Sequence, residues 1–272
     1  MGFGERLVEA GRRHGRLCVG IDPHAELLRQ WGVGDSVAGL RDFTRICVDA
    51  FAGHVALVKP QVAFFERFGS AGFAVLEEAL AALRDSGTLV VADAKRGDIG
   101  STMAGYAAAW LGEGSPLEAD AVTLTPYLGV GALDPAIELA RAGGKGVFVM
   151  AANSNPEAEA FQAQTVDGVT IAQQMVNACA EYNRGAGAGG AGVGDVGVVV
   201  GATVAAPPAL DALNAPVLMP GVGAQGASFA DAERVASTRS ELVFPNVSRG
   251  VLAAGPDVVK LRRRAVDMAK RA

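Results

Sequence analysis

The stretch LVVADAKRGDIGST, residues 89–102, is an apolar run that ends abruptly in closely spaced charges. Side chains alternate between the two faces of a strand, so Leu89, Val91, Asp93 and Lys95 share one face. On that face, apolar side chains give way to a carboxylate and an ammonium at the carboxyl end of the strand. Because helical spacing follows at 101–111, the stretch predicts one strand–loop–helix unit of a parallel sheet.

The same unit recurs along the chain, and eight apolar runs have the length and composition of strands. Eight strands close a (β/α)8 TIM barrel, the α/β fold that we predict, and its active sites lie at the carboxyl ends of the strands. An open doubly wound sheet is the alternative. The predicted strands are 16–21, 56–59, 89–94, 121–125, 146–151, 196–202, 217–220 and 242–247.

Amphipathic segments follow most of these strands and predict the outer helices. One of them, around 208–213, has only a weak helical pattern. The other predicted helices are 40–52, 72–84, 101–111, 134–142, 169–184, 228–237 and 257–270.

The chain has 272 residues, within the range that α/β barrels occupy as one domain. We therefore expect a single barrel domain over 1–272. The stretch 153–197 is long and contains the Gly-rich run GAGAGGAGVG. It predicts an insertion or a mobile active-site loop, with a plain flexible connector as the alternative.

Composition limits the function classes. Half of the residues are hydrophobic, and the net charge of −5 offers no basic field for a nucleic-acid polymer. The three cysteines, an odd number without zinc spacing, predict buried free thiols in a reducing compartment. No run has the length and apolar character of a membrane span, so we expect a cytoplasmic protein without a membrane partner.

The charges after the third strand form the pattern Asp93-x-Lys95-x-x-Asp98. A lysine flanked by carboxylates keeps its proton, because negative charge favours the ammonium form. It is then poorly suited to Schiff-base chemistry but can stabilise a developing carbanion and protonate it. A structural ion-pair cluster at the barrel rim remains the alternative.

Two other strands also end in charges. The second strand ends in Lys59, and the first ends in Asp22 before Pro23. A turn-forming Asp before Pro is the alternative for Asp22. Burying these charges for stability alone would be costly, so we expect them to share a polar cavity with Lys95.

Two glycine-containing loops late in the chain predict a phosphate site. In PGVGAQG, residues 220–226, Gly221 and Gly223 let backbone N–H groups approach an anion, and Gln225 supplies amide donors. Arg249, after the eighth strand, can hold phosphate oxygens with its planar guanidinium. The match of GVGAQG to the dinucleotide pattern GxGxxG is weak by itself.

Taken together, the motifs VGIDPH, VKPQVAFFE, DAKRGDIGST, SNP and PGVGAQG resemble those of the orotidine 5′-phosphate decarboxylases, in their longer bacterial form. The resemblance implies decarboxylation of orotidine 5′-phosphate to uridine 5′-phosphate in de novo pyrimidine biosynthesis, without a cofactor or metal. It makes Lys95 the proton donor to C6 and places Asp93 against the substrate carboxylate. Lys59 and Asp98 complete the charged network.

The resemblance also implies a homodimer in which Asp98 and Thr102 reach into the neighbouring subunit's site. Asp22 and Lys59 would contact the ribose hydroxyls. The remaining substrate contacts that it implies are Ser154 at the pyrimidine amide edge, and Gln225 and Arg249 at the phosphate.

Two other functions are compatible with the same residues. A metal-dependent sugar-phosphate decarboxylase or synthase can share the DxKxxD pattern, but it would need a metal-binding carboxylate near the second strand, where this chain has Lys59. A barrel that only binds a nucleotide phosphate would show affinity without turnover.

Overall fold

The computed structural model describes residues 1–185, 192–223, 226–237 and 239–272. Eight parallel strands close a barrel with the order β1-β2-β3-β4-β5-β8-β9-β10, as predicted for a (β/α)8 fold. The open-sheet alternative is therefore wrong. The barrel strands are β1 (Cys18–Ile21), β2 (Leu57–Pro60), β3 (Leu89–Arg96), β4 (Ala121–Leu124), β5 (Gly146–Ala152), β8 (Val196–Val200), β9 (Val217–Pro220) and β10 (Val243–Val247). A separate two-stranded hairpin is formed by β6 (Thr165–Val166) and β7 (Val169–Thr170).

The described helices precede, connect and follow the strands of the barrel. Within the described ranges, no helix combines the length and apolar character needed to cross a bilayer. The helices are α1 (Phe3–His14), α2 (Ala25–Gln30), α3 (Val37–Phe51), α4 (Val62–Glu66), α5 (Gly69–Asp85), α6 (Gly100–Leu111), α7 (Asp134–Ala142), α8 (Pro156–Gln162), α9 (Ile171–Asn183), α10 (Phe229–Ala236), α11 (Arg249–Leu252) and α12 (Val258–Ala269).

The weak helix predicted around 208–213 does not form, because 208–210 are irregular and only 211–213 form a turn. Pro207 precedes the stretch and Pro208 begins it, and neither has a backbone N–H to donate. Asn214 then adopts φ 47°, in the left-handed region, before β9 begins. The stretch is therefore too short and too interrupted for a helix.

The barrel interior is apolar at its amino-terminal end. Phe3 and Leu7 of α1 are buried against the inward-facing side chains of the strands, and the rings of Phe3 and Phe148 meet edge to face with centroids 5.9 Å apart. α1 therefore closes this end. The other interior residues are Cys18, Ala56, Leu57, Leu89, Val91, Ala121, Phe148, Val199, Leu218 and Phe244.

The region 153–197 contains α8, the hairpin and α9. α9 begins at Ile171, two residues later than predicted, because Val169 and Thr170 pair in the hairpin. The Thr170 hydroxyl accepts a hydrogen bond from Gln173 N at 3.1 Å and caps α9. The Gly-rich segment 186–191 lies outside the described residues, and the role of the region as an insertion or mobile loop stays a prediction.

Candidate active site

A cavity of about 220 Å³ opens at the carboxyl ends of the strands, the end where barrel active sites lie. Its walls come from opposite sides of the barrel, so residues distant in sequence face one another. The lining residues are Asp22, Lys59, Gln61, Asp93, Lys95, Thr123, Met150, Asn153, Val199, Leu218, Pro220, Gly221, Val222, Asn246, Ser248 and Arg249.

Asp93 lies at the centre of the polar wall, and each of its carboxylate oxygens accepts two hydrogen bonds. Oδ1 accepts from Lys95 Nζ at 2.6 Å and from the Thr123 hydroxyl at 2.9 Å. Oδ2 accepts from Lys59 Nζ at 2.8 Å and from Gln61 Nε2 at 2.7 Å. The carboxylate is therefore saturated with donors and fixed in orientation.

Lys59 and Asp93 are both almost fully buried, and their charges stabilise one another. Burial alone would lower the pKa of Lys59, but the carboxylates of Asp93 and Asp22 outweigh it and raise that pKa above its usual range. Burial would likewise raise the pKa of Asp93, but Lys59 and Lys95 outweigh it and hold the pKa well below its usual range. Both groups therefore stay ionised at neutral pH.

Lys95 lies at an irregular point of β3. The pairing of β3 with β4 shifts between Ala92 and Arg96, and Lys95 adopts φ 49°, in the left-handed region that non-glycine residues rarely occupy. Its backbone N–H donates to the Thr123 hydroxyl at 2.9 Å, and its carbonyl accepts from the Thr125 hydroxyl at 3.2 Å. Two threonines of the neighbouring strand and its loop therefore hold this residue.

Asp22 contributes a buried carboxylate oxygen to the cavity. Among the described residues its buried Oδ1 accepts no hydrogen bond, and Lys59 Nζ lies 3.9 Å away. A side chain on Gly20 would meet the Ser248 hydroxyl, because a Cβ there would lie 1.9 Å from Ser248 Oγ and 3.2 Å from Asp22 Oδ1. Glycine at position 20 therefore keeps this corner of the cavity open.

Of the four residues predicted to bind phosphate, Arg249 and Gly221 line the cavity. Arg249 lines the cavity, is exposed and has no carboxylate partner within the described residues. Gly221, with φ 108°, also lines the cavity. The N–H of Gly223 instead donates to Ala227 O at 2.7 Å. Gln225 lies outside the described residues.

Three other predicted site residues do not line the cavity of their own chain. Asp98 is half-buried, and its Oδ1 accepts from Ile99 N at 2.8 Å. Thr102 is exposed in the first turns of α6. Ser154 lies beside Gly201, and the preceding residue, Asn153, is the one that lines the cavity. The roles assigned to these residues stay predictions.

Sequence reasoning missed Gln61, Thr123 and Asn153. The Asn153 side chain is held by Gln162 of α8, whose Nε2 donates to Asn153 Oδ1 at 3.0 Å and whose Oε1 accepts from Asn153 N at 2.7 Å. Thr123 was detectable from the period of two along its strand, because it follows the inward-facing Ala121. Gln61 follows Lys59 by the same interval.

The described residues contain no group of three or more His, Cys, Asp and Glu side chains arranged to hold a metal ion. His24, the histidine nearest the cavity in sequence, packs on the Phe64 ring with centroids 4.2 Å apart. The cationic groups of the cavity are instead ammonium and guanidinium groups, which suit an anionic ligand.

The sequence profile described as the orotidine 5′-phosphate decarboxylase / HUMPS family matches residues 15–264. An orotidine 5′-phosphate decarboxylase of Corynebacterium efficiens is 60% identical over 261 residues, 96% of this chain and 93% of that protein. Another, of Corynebacterium glutamicum strain R, is 57% identical and covers 99% of this chain and 97% of its own. A crystal structure from Streptomyces avermitilis, assigned as an orotidine 5′-phosphate decarboxylase, superposes with a TM-score of 0.93 at 53% identity, covering 99% of this chain and 94% of that one. The chain therefore belongs to the orotidine 5′-phosphate decarboxylase / HUMPS family.

Proposed function

We propose that this protein converts orotidine 5′-phosphate into uridine 5′-phosphate and CO2 in de novo pyrimidine biosynthesis. The observation that carries the proposal is the saturated Lys59–Asp93–Lys95 array, which lines one cavity at the mouth of the barrel together with Arg249. The relatives at 57–60% identity, which bear that enzyme's name, support the same reaction.

The array supplies the charges that the reaction requires. Asp93 stays ionised and lies against the substrate carboxylate, where repulsion disfavours the bound substrate relative to the transition state. The bond between C6 and the carboxylate breaks, CO2 leaves, and the electron pair remains on C6. The Lys95 ammonium stabilises this carbanion and then transfers a proton from Nζ to C6, and its neutral amine regains a proton from solvent.

The ribose and phosphate are held away from the reacting carbon. The unused Oδ1 of Asp22 accepts a hydrogen bond from a ribose hydroxyl, which removes the cost of burying it without a partner. Lys59 lies beside it and also contacts the ribose. Arg249 binds the phosphate through its guanidinium, together with Gln225 and backbone N–H groups of the loop that contains Gly223. Ser154 contacts the pyrimidine amide edge.

The active enzyme is a homodimer with shared sites. Asp98 and Thr102 do not line their own cavity and are available to a partner. Exposed apolar side chains occur in the same loop and in the loop after the next strand: Ile99 is 60% exposed, Leu128 55% and Tyr127 80%. Such side chains are typical of interface surfaces. The buried free thiols of Cys18, Cys47 and Cys179 fit a cytoplasmic location.

A spectrophotometric assay of the purified protein with orotidine 5′-phosphate, with and without EDTA, tests the function. We expect rapid loss of the substrate's absorbance and equal rates in both samples. Loss of activity with EDTA would favour the metal-dependent sugar-phosphate class. If the protein binds uridine 5′-phosphate but does not turn over orotidine 5′-phosphate, it would instead be a nucleotide sensor.

A further inference from the structure

Thr123 lies between the two residues that act on the reacting carbon. It is 1% exposed, and its hydroxyl donates to Asp93 Oδ1 at 2.9 Å while accepting from Lys95 N at 2.9 Å. A backbone N–H can only donate and an ionised carboxylate can only accept, so the direction of both hydrogen bonds is fixed. One hydroxyl therefore joins the Lys95 backbone to the Asp93 carboxylate.

The backbone of Lys95 needs this support. A left-handed conformation costs a non-glycine residue roughly 1–2 kcal/mol, and the surrounding contacts must compensate for it. At Lys95 the pairing of β3 with β4 is interrupted, and the hydroxyls of Thr123 and Thr125 occupy its N–H and its carbonyl. The turn that these contacts hold brings Lys95 Nζ back to Asp93 Oδ1 at 2.6 Å.

We propose that Thr123 is a positioning residue for decarboxylation, which fixes the Lys95 ammonium and the Asp93 carboxylate relative to each other. This inference depends on the proposed function. It assigns no contact with the substrate to Thr123, since the residue acts through Lys95 and Asp93. Its loss would keep both side chains in the cavity but let the Lys95 backbone relax and change its position relative to Asp93, and small misplacement of reacting groups reduces turnover more than it reduces binding.

The chain offers a matched control in Thr44 of α3, which is 2% exposed. Its hydroxyl has no hydrogen-bond partner among the described residues. Thr44→Val and Thr123→Val remove the same buried hydroxyl and keep nearly the same side-chain volume. Thr123→Val deprives Lys95 N and Asp93 Oδ1 of a hydrogen-bond partner, whereas Thr44→Val deprives no described group of one.

The test compares kcat and KM for orotidine 5′-phosphate in these variants and in Thr123→Ser. We expect Thr123→Val to lower kcat by about 30-fold with KM within about threefold of wild type, since a lost hydrogen bond to a charged group costs roughly that factor. Thr123→Ser keeps the hydroxyl and should recover most of the lost kcat. Thr44→Val should match wild type in both constants.

Wild-type kcat in Thr123→Val, or equal losses in Thr123→Val and Thr123→Ser, would overturn the proposal. If Thr123→Val does not fold, Thr123→Cys replaces it, because a thiol is only a weak donor. A kcat at least about fivefold below wild type in that soluble variant supports the proposal, and an unchanged kcat overturns it.

A crystal structure of the substituted protein separates this inference from the proposed function. If wild type lacks decarboxylase activity, the proposed function fails by itself. Movement of the Lys95 backbone out of the left-handed region in the variant would then still support the positioning role. An unmoved Lys95 would overturn it.

Discussion

Arg249 differs from the other cationic groups of the cavity because no carboxylate of the described chain neutralises it. A guanidinium that forms charge-assisted hydrogen bonds to a phosphate contributes about 3 kcal/mol, or ~100-fold in affinity. We therefore expect Arg249→Ala to raise the inhibition constant of uridine 5′-phosphate by about that factor. The inhibition constant of uridine, which carries no phosphate, should stay unchanged.

Arg263→Ala is a matched control, because this arginine of α12 has an 83% exposed side chain, does not line the cavity and pairs with Asp267, with Nε and Oδ2 3.8 Å apart. It should alter neither inhibition constant. Equal weakening of both ligands by Arg249→Ala would mean that Arg249 does not read the phosphate.

At the residue scale, the sequence predicted the charged groups but not the neutral ones that hold them. Asp22, Lys59, Asp93 and Lys95 line one cavity, as expected from their positions at strand ends. The position of Thr123 beside Lys95 depends instead on the irregular register between β3 and β4. A register shift is a non-local property, and spacing within one strand cannot reveal it.

At the scale of elements, the loop before β4 is bound to helix α5 and to the residue before β5, at the amino-terminal end of the barrel. Glu118 accepts from Lys145 Nζ at 2.7 Å, and its other oxygen lies 2.8 Å from Arg84 Nη1 of α5. Burial opposes ionisation of Glu118, but the hydrogen bonds from Lys145 and Arg84 outweigh it and lower its pKa from 4.5 to about 2. Glu118 therefore stabilises the fold above pH 4.5, and this contribution is lost as the pH falls towards 2.

We expect Glu118→Gln to lower the free energy of unfolding at pH 7 by about 2 kcal/mol, the scale of a hydrogen bond to a charged group. Near pH 2 the difference from wild type should shrink, because about half of the folded wild-type molecules then carry a protonated Glu118. Urea denaturation at several pH values measures both effects. A difference independent of pH would contradict the role of the Glu118 charge.

The helix α1 makes a second contribution at this scale, because Phe3 fills the closed end of the barrel. Replacing a buried Phe by Ala typically costs about 3–5 kcal/mol, and we expect Phe3→Ala to lose that much stability with kcat unchanged. Phe3→Leu keeps more of the volume and should lose less than half as much. Denaturant unfolding beside the decarboxylation assay checks this, and unchanged stability in Phe3→Ala would show that α1 does not contribute to the core.

The sequence predicted the barrel strands because each is a short, buried apolar run. It did not identify α1 as the element that closes the barrel, because charged residues dominate the exposed face of this helix. Its few apolar residues, among them Phe3 and Leu7, are recognised as core only when the strands that they contact are known. The weak helical pattern around 208–213 did not produce a helix, because Pro207, Pro208 and the left-handed Asn214 interrupt the stretch. Local signals therefore predicted the strands better than the elements between them.

At the scale of the whole molecule, stability and chemistry occupy opposite ends of one barrel. The barrel interior is closed at its amino-terminal end by α1 and apolar side chains, whereas at its carboxyl end the interior holds the charged cavity and opens to solvent. The exposed apolar side chains of Ile99, Tyr127 and Leu128 lie in the loops after β3 and β4 and form part of the surface at the open end. A second subunit that covers this surface would lie next to the site.

Mixing inactive variants tests whether two subunits share each site. If Asp98 acts in the partner's site and Lys95 in its own, a heterodimer of Lys95→Ala and Asp98→Ala has one complete site and one that lacks both groups. Random exchange of equal amounts makes half of the dimers mixed, so about a quarter of wild-type activity should return.

Lys95→Ala mixed with Lys59→Met is the control, because both substitutions fall in residues that act in their own subunit's cavity. No heterodimer of that pair contains a complete site, and activity should stay absent. Size-exclusion chromatography with light scattering establishes that mixed dimers form. Mixed dimers of Lys95→Ala and Asp98→Ala that remain inactive would exclude shared sites, and a monomeric mass for active wild type would exclude the dimer.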